Sequence, residues 1–183
     1  MRIALVCDYS LDYLGGAQSA FLDQARILRA RGHSVTIIAP ALRGDGGQKW
    51  VAAWRNGPGG VVPVPARVVL PGVDLPVVRN SKALRARLDE ELQSRRIDVV
   101  HLHSEFGLSA AVVAAAQSRG IPTVQTVHTF FWQAPMPRLA GVIAAAGVRG
   151  FTRWLRGFAA GDASLAVRPL DSALRNVTLS MGQ

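Results

Sequence analysis

An almost uninterrupted apolar run, Ile3-Ala4-Leu5-Val6-Cys7, opens the chain, and two adjacent glycines, Gly15 and Gly16, precede the next regular pattern. A strand that does not alternate between apolar and polar positions is buried on both faces, as strands of parallel sheets are. Beyond the glycines, Ala17, Ala20, Phe21, Ile27 and Leu28 gather on one side of a helix, with Ser19, Asp23 and Arg26 opposite. Arg31-Gly32 supplies a glycine for the left-handed position after a helix, and residues 34–39 resume as an apolar strand. Strand, glycine loop, helix and strand form a βαβ unit, whose crossover is expected to be right-handed.

The same alternation continues. Residues 41–79 change to Gly and Pro with short apolar pieces, and Pro63, Pro65, Pro71 and Pro76 restrict these to edge strands and loops. Trp50 and Trp54, four apart, suit one face of a short helix that packs on the core. Asn80 or Ser81 caps a predicted helix to about Arg96, with Leu84, Leu88 and Leu92 inward. A strand over 97–102, an Ala-rich helix over 107–118 and a strand over 122–127 follow. Further on, helices are predicted at 140–146 and 169–175, and strands at 163–167 and 177–180. The pattern predicts an α/β domain with a doubly wound, mostly parallel sheet flanked by helices, over residues 1–183 as a single domain.

Composition narrows the partners. With 49% apolar and 18% charged residues the chain has what a compact core needs. Its net charge of +9 favours an acidic partner, yet the cations are dispersed arginines with only Lys49 and Lys82 among them. No basic run interleaved with aromatics tracks a nucleic-acid backbone, so no nucleic-acid partner is expected; an anionic lipid or a sugar nucleotide fits the charge equally well. The single cysteine, Cys7, rules out a disulfide framework within the chain and points to the cytoplasm. No secretory signal is visible, and the apolar stretches fall short of the roughly 20 residues that span a bilayer. Residues 148–158 would place Val148, Phe151, Trp154, Leu155 and Phe158 opposite Arg149, Arg153 and Arg156 if helical. Such a segment either packs its apolar side within the protein or lies peripherally in a membrane interface.

Ligands of open parallel sheets bind beyond the carboxyl ends of the strands. Three loops there carry chemistry: residues 8–16, His103-Ser104-Glu105-Phe106, and His128-Thr129-Phe130-Phe131-Trp132. Gly15-Gly16 either makes a tight turn or lets the backbone approach an anion at a helix N-terminus; it is not the dinucleotide fingerprint. His128 is either a structural histidine or a group that binds a hydroxyl or moves a proton, and Glu105 is either a solvated carboxylate or a general base. His101 and His103 share a strand face, but no Cys or acidic residue completes a ligand set, so no metal is expected.

Gly15-Gly16-Ala17-Gln18, residues 28–38 (Leu-Arg-Ala-Arg-Gly-His-Ser-Val-Thr-Ile-Ile), Asp98-Val99-Val100-His101-Leu102-His103, residues 120–128 (Gly-Ile-Pro-Thr-Val-Gln-Thr-Val-His) and Gly161-Asp162-Ala163 together resemble the N-terminal domain of glycosyltransferase family 4, of the GT-B fold, in the style of phosphatidylinositol mannosyltransferases. The resemblance covers almost the whole chain. It implies a retaining enzyme that moves a sugar, mannose among the candidates, from a nucleotide-sugar to a lipid or saccharide acceptor, with no other cofactor.

By the same resemblance Gly15 and Gly16 approach the donor phosphate and His128 contacts the transferred sugar as the catalytic-centre histidine. Tyr9, Gln18, His103, Ser104, Glu105 and Thr129 are expected on the acceptor side. The family's donor-binding C-terminal domain, with its paired glutamates, has no counterpart: the only glutamates are Glu90, Glu91 and Glu105. The expectation is therefore an acceptor-binding half that is inactive alone and needs the missing domain or a partner chain, working in the cytoplasm or at the inner face of the membrane. The rival expectation is a non-catalytic module of the same fold that binds a lipid or sugar phosphate or scaffolds a partner.

Overall fold

A computed structural model describes residues 1–12, 15–42, 49–70, 75–104, 106–126 and 128. Within them the order is β1 (Arg2–Val6), α1 (Gly16–Ala30), β2 (Ser34–Leu42), α2 (Lys49–Trp54), β3 (Val61–Ala66), β4 (Val69–Leu70), β5 (Leu75–Pro76), α3 (Lys82–Ser94), β6 (Val99–Leu102), α4 (Gly107–Ser118) and β7 (Thr123–Gln125). A 5-stranded sheet in the order β3-β2-β1-β6-β7 is parallel throughout, and β4 and β5 make a separate antiparallel pair. The expected doubly wound α/β architecture is the observed one. The elements expected beyond residue 128, including 148–158, lie outside the described residues.

Period-two alternation in β1 sorts the two cores. Ile3, Leu5 and Cys7 meet Phe21, Leu22 and Ala25 of α1, whereas Ala4 and Val6 face Val100, Leu102, Leu108 and Val112 on the side of α3 and α4. Burying side chains such as Leu5, Phe21, Leu88 and Leu108, each at or near zero exposure, contributes about 2 kcal/mol apiece. The stripe of α1 differs from the sequence expectation. Gln18, Phe21, Leu22 and Ala25 are buried, while Ala20 is exposed and Ile27 is 52% exposed. The i, i+3, i+4, i+7 pattern begins at Gln18, a polar residue that a purely apolar count leaves out.

The prolines fall where a missing N–H does no harm. Pro63 and Pro65 sit in the edge strand β3, and the β1–β2 register stops at Val6 and Ile38, just before Pro40. Trp50 is buried against the α1 side of the sheet, and Trp54 packs there with the guanidinium of Arg29 5.0 Å above its ring. Ser81 caps α3 by accepting from the Leu84 N–H at 3.2 Å. That helix stops at Ser94, short of Arg96, because Arg96 takes φ 51° and the Ile97 N–H turns back to the Leu92 carbonyl.

Candidate active site

Topology alone selects the crevice. From β1 the chain winds outward through β2 to β3, then returns to lay β6 on the other side of β1 and β7 beyond it. The loops after β1 and β6 therefore diverge, and a ligand can enter between them. Two helix N-termini, those of α1 and α4, open at this edge.

The α4 terminus is filled by the protein itself. Phe106, at the cap position, offers no side-chain acceptor. Asp8, one residue past Cys7, reaches across instead and accepts from the Leu108 N–H at 2.7 Å, the Ser109 N–H, the Phe106 N–H and the hydroxyls of Ser104 and Ser109. Ser104 also accepts from the Asp8 N–H at 2.7 Å. Burial pushes the Asp8 carboxyl above the usual carboxylate range, opposed by the Ser109 and Ser104 hydroxyls and the Leu108 and Ser109 N–H groups. A carboxylate at a helix N-terminus with this many donors supplies the charge an external anion would otherwise bring.

The α1 terminus is different. Its cap is Gly15, with extended backbone and no side-chain hydrogen bond. A methyl group placed on Gly16 would meet nothing within 4 Å among the described residues. Gln18 is buried and curls back so that a methyl group on Gly15 would lie 2.8 Å from its Oε1. Among the described residues no side chain caps the first-turn N–H groups, and the positive end of the α1 dipole favours an anion here.

Between the two lies a histidine cluster carried by β6 and the end of β7. His101 and His103 share one face of β6, turned toward α1, with ring centroids 4.6 Å apart. His103 is buried, meets Phe21 edge-on at 5.0 Å and stacks on His128 at 5.0 Å. Its Nδ1 is 2.8 Å from His128 Nε2, and its Nε2 is 2.5 Å from Oε1 of Gln24. The Gln24 amide nitrogen lies 3.2 Å from His101 Nδ1, and His101 Nε2 2.8 Å from Thr126 Oγ1. Burial pushes His103 down to about 3, helped by the neighbouring His101 and His128, and lowers His101 and His128 as well.

This has a consequence for stability against acid. Because the unfolded chain protonates His103 near its ordinary 6.5 and the folded chain resists until about 3, the unfolded state holds more protons between those values. Stability is unaffected above pH 6.5 and falls as the pH drops through the window, by up to about 1.4 kcal/mol per pH unit. Asp98, held down to about 2 by Arg2, loses its contribution only below the ordinary carboxylate range, whereas the raised Asp8 carboxyl acts in the opposite sense as the pH falls, so the His103 share is read from the difference between the native chain and a His103 variant. Between pH 7 and pH 5 the loss of stability to urea is expected to be smaller in His103→Asn than in the native chain by about 2 kcal/mol, the contribution of His103 alone. Equal losses in both would refute the assignment.

Of the residues singled out from sequence, Gly15, Gly16, Gln18, Tyr9, His103, Ser104 and His128 border this edge, Tyr9 edge-on to Phe106 at 6.0 Å. The Ser104 hydroxyl is committed to Asp8 and Ser109. Glu105, Thr129, Phe130, Phe131 and Trp132 lie outside the described residues. Gln24, Ser109 and the bridging role of Asp8 were not anticipated. Gln24 carried a signal, since it falls between Phe21 and Leu28 on the inward side of α1. Among the described residues no group of three His, Cys, Asp or Glu side chains can hold a metal ion.

The signature of Glycosyltransferase Family 4 matches residues 14–169, spanning the glycine loop, the β6 histidines and His128. The chain belongs to glycosyltransferase family 4. A phosphatidyl-myo-inositol mannosyltransferase of Mycobacterium leprae is 33% identical over 137 residues, covering 70% of this chain and 32% of the relative. An alpha-monoglucosyldiacylglycerol synthase of Acholeplasma laidlawii is 29% identical over 131 residues, covering 72% of this chain and 30% of the relative. Among solved structures, MurG of Acinetobacter baumannii matches with TM-score 0.46 and 19% identity over 68% of this chain and 34% of that one. The family 4 domain described here thus spans about a third of the length of the curated relatives it matches.

Proposed function

We propose that this family 4 domain is the acceptor-side half of a retaining glycosyltransferase that moves a hexose from a nucleotide-sugar to a lipid. The observation that carries the reading is the asymmetry of the two helix N-termini on the crevice edge that also holds His128: Asp8 occupies that of α4, while among the described residues no side chain caps that of α1 and a methyl group on Gly16 would meet nothing within 4 Å. In this reading the donor phosphate lies against the α1 N-H groups, Gly15 and Gly16 allow the approach, and His128 contacts the transferred sugar. Tyr9, Gln18, His103, Ser104, Glu105 and Thr129 shape or support the acceptor side, Ser104 through its bond to Asp8. The lipid acceptor is argued from the relatives' names, one a phosphatidyl-myo-inositol mannosyltransferase and the other a glucosyldiacylglycerol synthase.

Charge on the departing phosphate is met by backbone dipoles and by cations of a donor-binding domain, with no metal in the reaction. That second domain, in the same polypeptide or a partner chain, is needed for turnover. Among the described residues no helix is long and apolar enough to cross a membrane, and the proposed site of action is the cytoplasmic membrane surface, with residues 148–158 a candidate contact.

The test is a transfer assay from a panel of nucleotide-sugars to acceptor vesicles, using residues 1–183 alone and the native polypeptide with any stably bound chain. Turnover is expected only in the second case. Robust multiple turnover by residues 1–183 alone overturns the half-enzyme reading, and inactivity of both favours a binding module. Gly16→Val, whose Cβ meets nothing within 4 Å among the described residues, is expected to lower transfer at least about 100-fold with the melting temperature nearly unchanged. Full activity of that variant would remove the phosphate from the α1 terminus.

A further inference from the structure

Gln24 stands between His101 and His103 and touches both with opposite ends of one amide. An amide has one acceptor and one donor end, so the two rings receive opposite partners. Each ring, when neutral, likewise has one donor and one acceptor nitrogen, and the lowered pKa values of His101, His103 and His128 keep all of them neutral at physiological pH. Proton positions through the cluster are therefore not independent.

The contact lengths give the chain of bonds its direction. A nitrogen acceptor is larger than an oxygen, so an N–H···N bond is longer than an N–H···O bond. The short contact of 2.5 Å joins His103 Nε2 to Gln24 Oε1, and the longer one of 3.2 Å joins the Gln24 amide nitrogen to His101 Nδ1. With the amide turned over, an N–H···N bond would have to fit in 2.5 Å. With the amide in this orientation and His103 neutral, His103 would donate from Nε2 to Gln24 and accept at Nδ1 from His128 Nε2–H. His128 is left with an unprotonated Nδ1, which has no partner among the described residues. On the other branch, His101 accepts from Gln24 and donates from Nε2 to Thr126.

We propose that Gln24 is a positioning residue which, through His103, fixes His128 as a hydrogen-bond acceptor at Nδ1 for a hydroxyl of the transferred sugar. This rests on the placement of His128 at the sugar made above. The reverse polarity would make the same nitrogen a donor, and the site would then favour an acceptor group on the sugar over a hydroxyl hydrogen.

Long-range proton–nitrogen NMR of the full 15N-labelled chain at pH 7.5 reads the tautomers directly. The native chain is expected to carry the proton on Nε2 of His128. Gln24→Leu, close in volume, removes the acceptor for His103 and should give His128 a mixture of tautomers. Gln24→Glu keeps an acceptor for His103 and should restore the Nε2–H form, which a packing role alone would not produce. A native His128 protonated at Nδ1, or a tautomer unmoved in Gln24→Leu, overturns the proposal at the relay. In the turnover-competent polypeptide, Gln24→Leu is expected to lower kcat at least about 10-fold, with most of the loss recovered by Gln24→Glu. Tautomers that shift as expected while kcat stays put would overturn it at the sugar instead, and with it the placement of His128.

Discussion

Asp8→Ala is expected to cost the fold about 3–5 kcal/mol, the range for removing one partner from a buried charged network. The carboxylate is 1% exposed, and the groups it would abandon are the Ser104 and Ser109 hydroxyls and the N–H groups that begin α4. Ser104, Leu108 and Ser109 are buried, and the α4 cap residue Phe106 has no side-chain oxygen to offer in exchange. Asp8→Asn retains a carbonyl for part of the set and should lose about 2 kcal/mol. Urea unfolding followed by circular dichroism measures both. A loss below about 1 kcal/mol in the alanine variant would mean that the network relaxes around the gap and that Asp8 is not what joins β1 to α4.

Gly59→Ala should be at least as damaging, for a steric reason. Gly59 has φ +91°, and a methyl group there would sit 2.4 Å from the carbonyl carbon of Val35 and 2.7 Å from the nitrogen of Thr36. Both are backbone atoms of β2, so nothing can swing aside. The Gly59 carbonyl accepts from Thr36 Oγ1 at 3.0 Å and from Arg95 at 2.6 Å, and the Val35 N–H donates to Pro58. Displacing Gly59 would therefore unzip the start of β3 from β2. We expect a loss of about 4 kcal/mol or no cooperative transition at all. Gly32→Ala is the control: φ is +83° there, but the added methyl meets nothing within 4 Å among the described residues, so only the backbone preference of about 1 kcal/mol is expected to be lost. Similar losses at both positions would show that close approach to β2 contributes nothing.

Much of this fold was legible because its signals are local. The apolar run of β1, the glycine at the end of α1, the Ser81 cap and the bounds of α4 each follow from residues within a few positions of one another. The inward face of α1 was misread at Ala20 and Ile27 for an instructive reason. A polar residue on the buried stripe is normally counted out, and here Gln18 is buried while Gln24 reaches His101 and His103 on the facing side of the sheet.

The sequence by itself determined a parallel α/β domain of glycosyltransferase family 4 and put the chemistry-bearing loops at one sheet edge, since hydrophobic period and turn residues fix which elements form. Tertiary structure decided the rest. Asp8 and Ser109 are 101 positions apart, and Gln24 and His103 are 79 apart. Which helix terminus is closed by the protein and which has no side-chain cap among the described residues, and which imidazole nitrogen carries a proton, depend on partners that no local pattern brings together, because a hydrogen bond depends on distance in space and leaves no period along the chain.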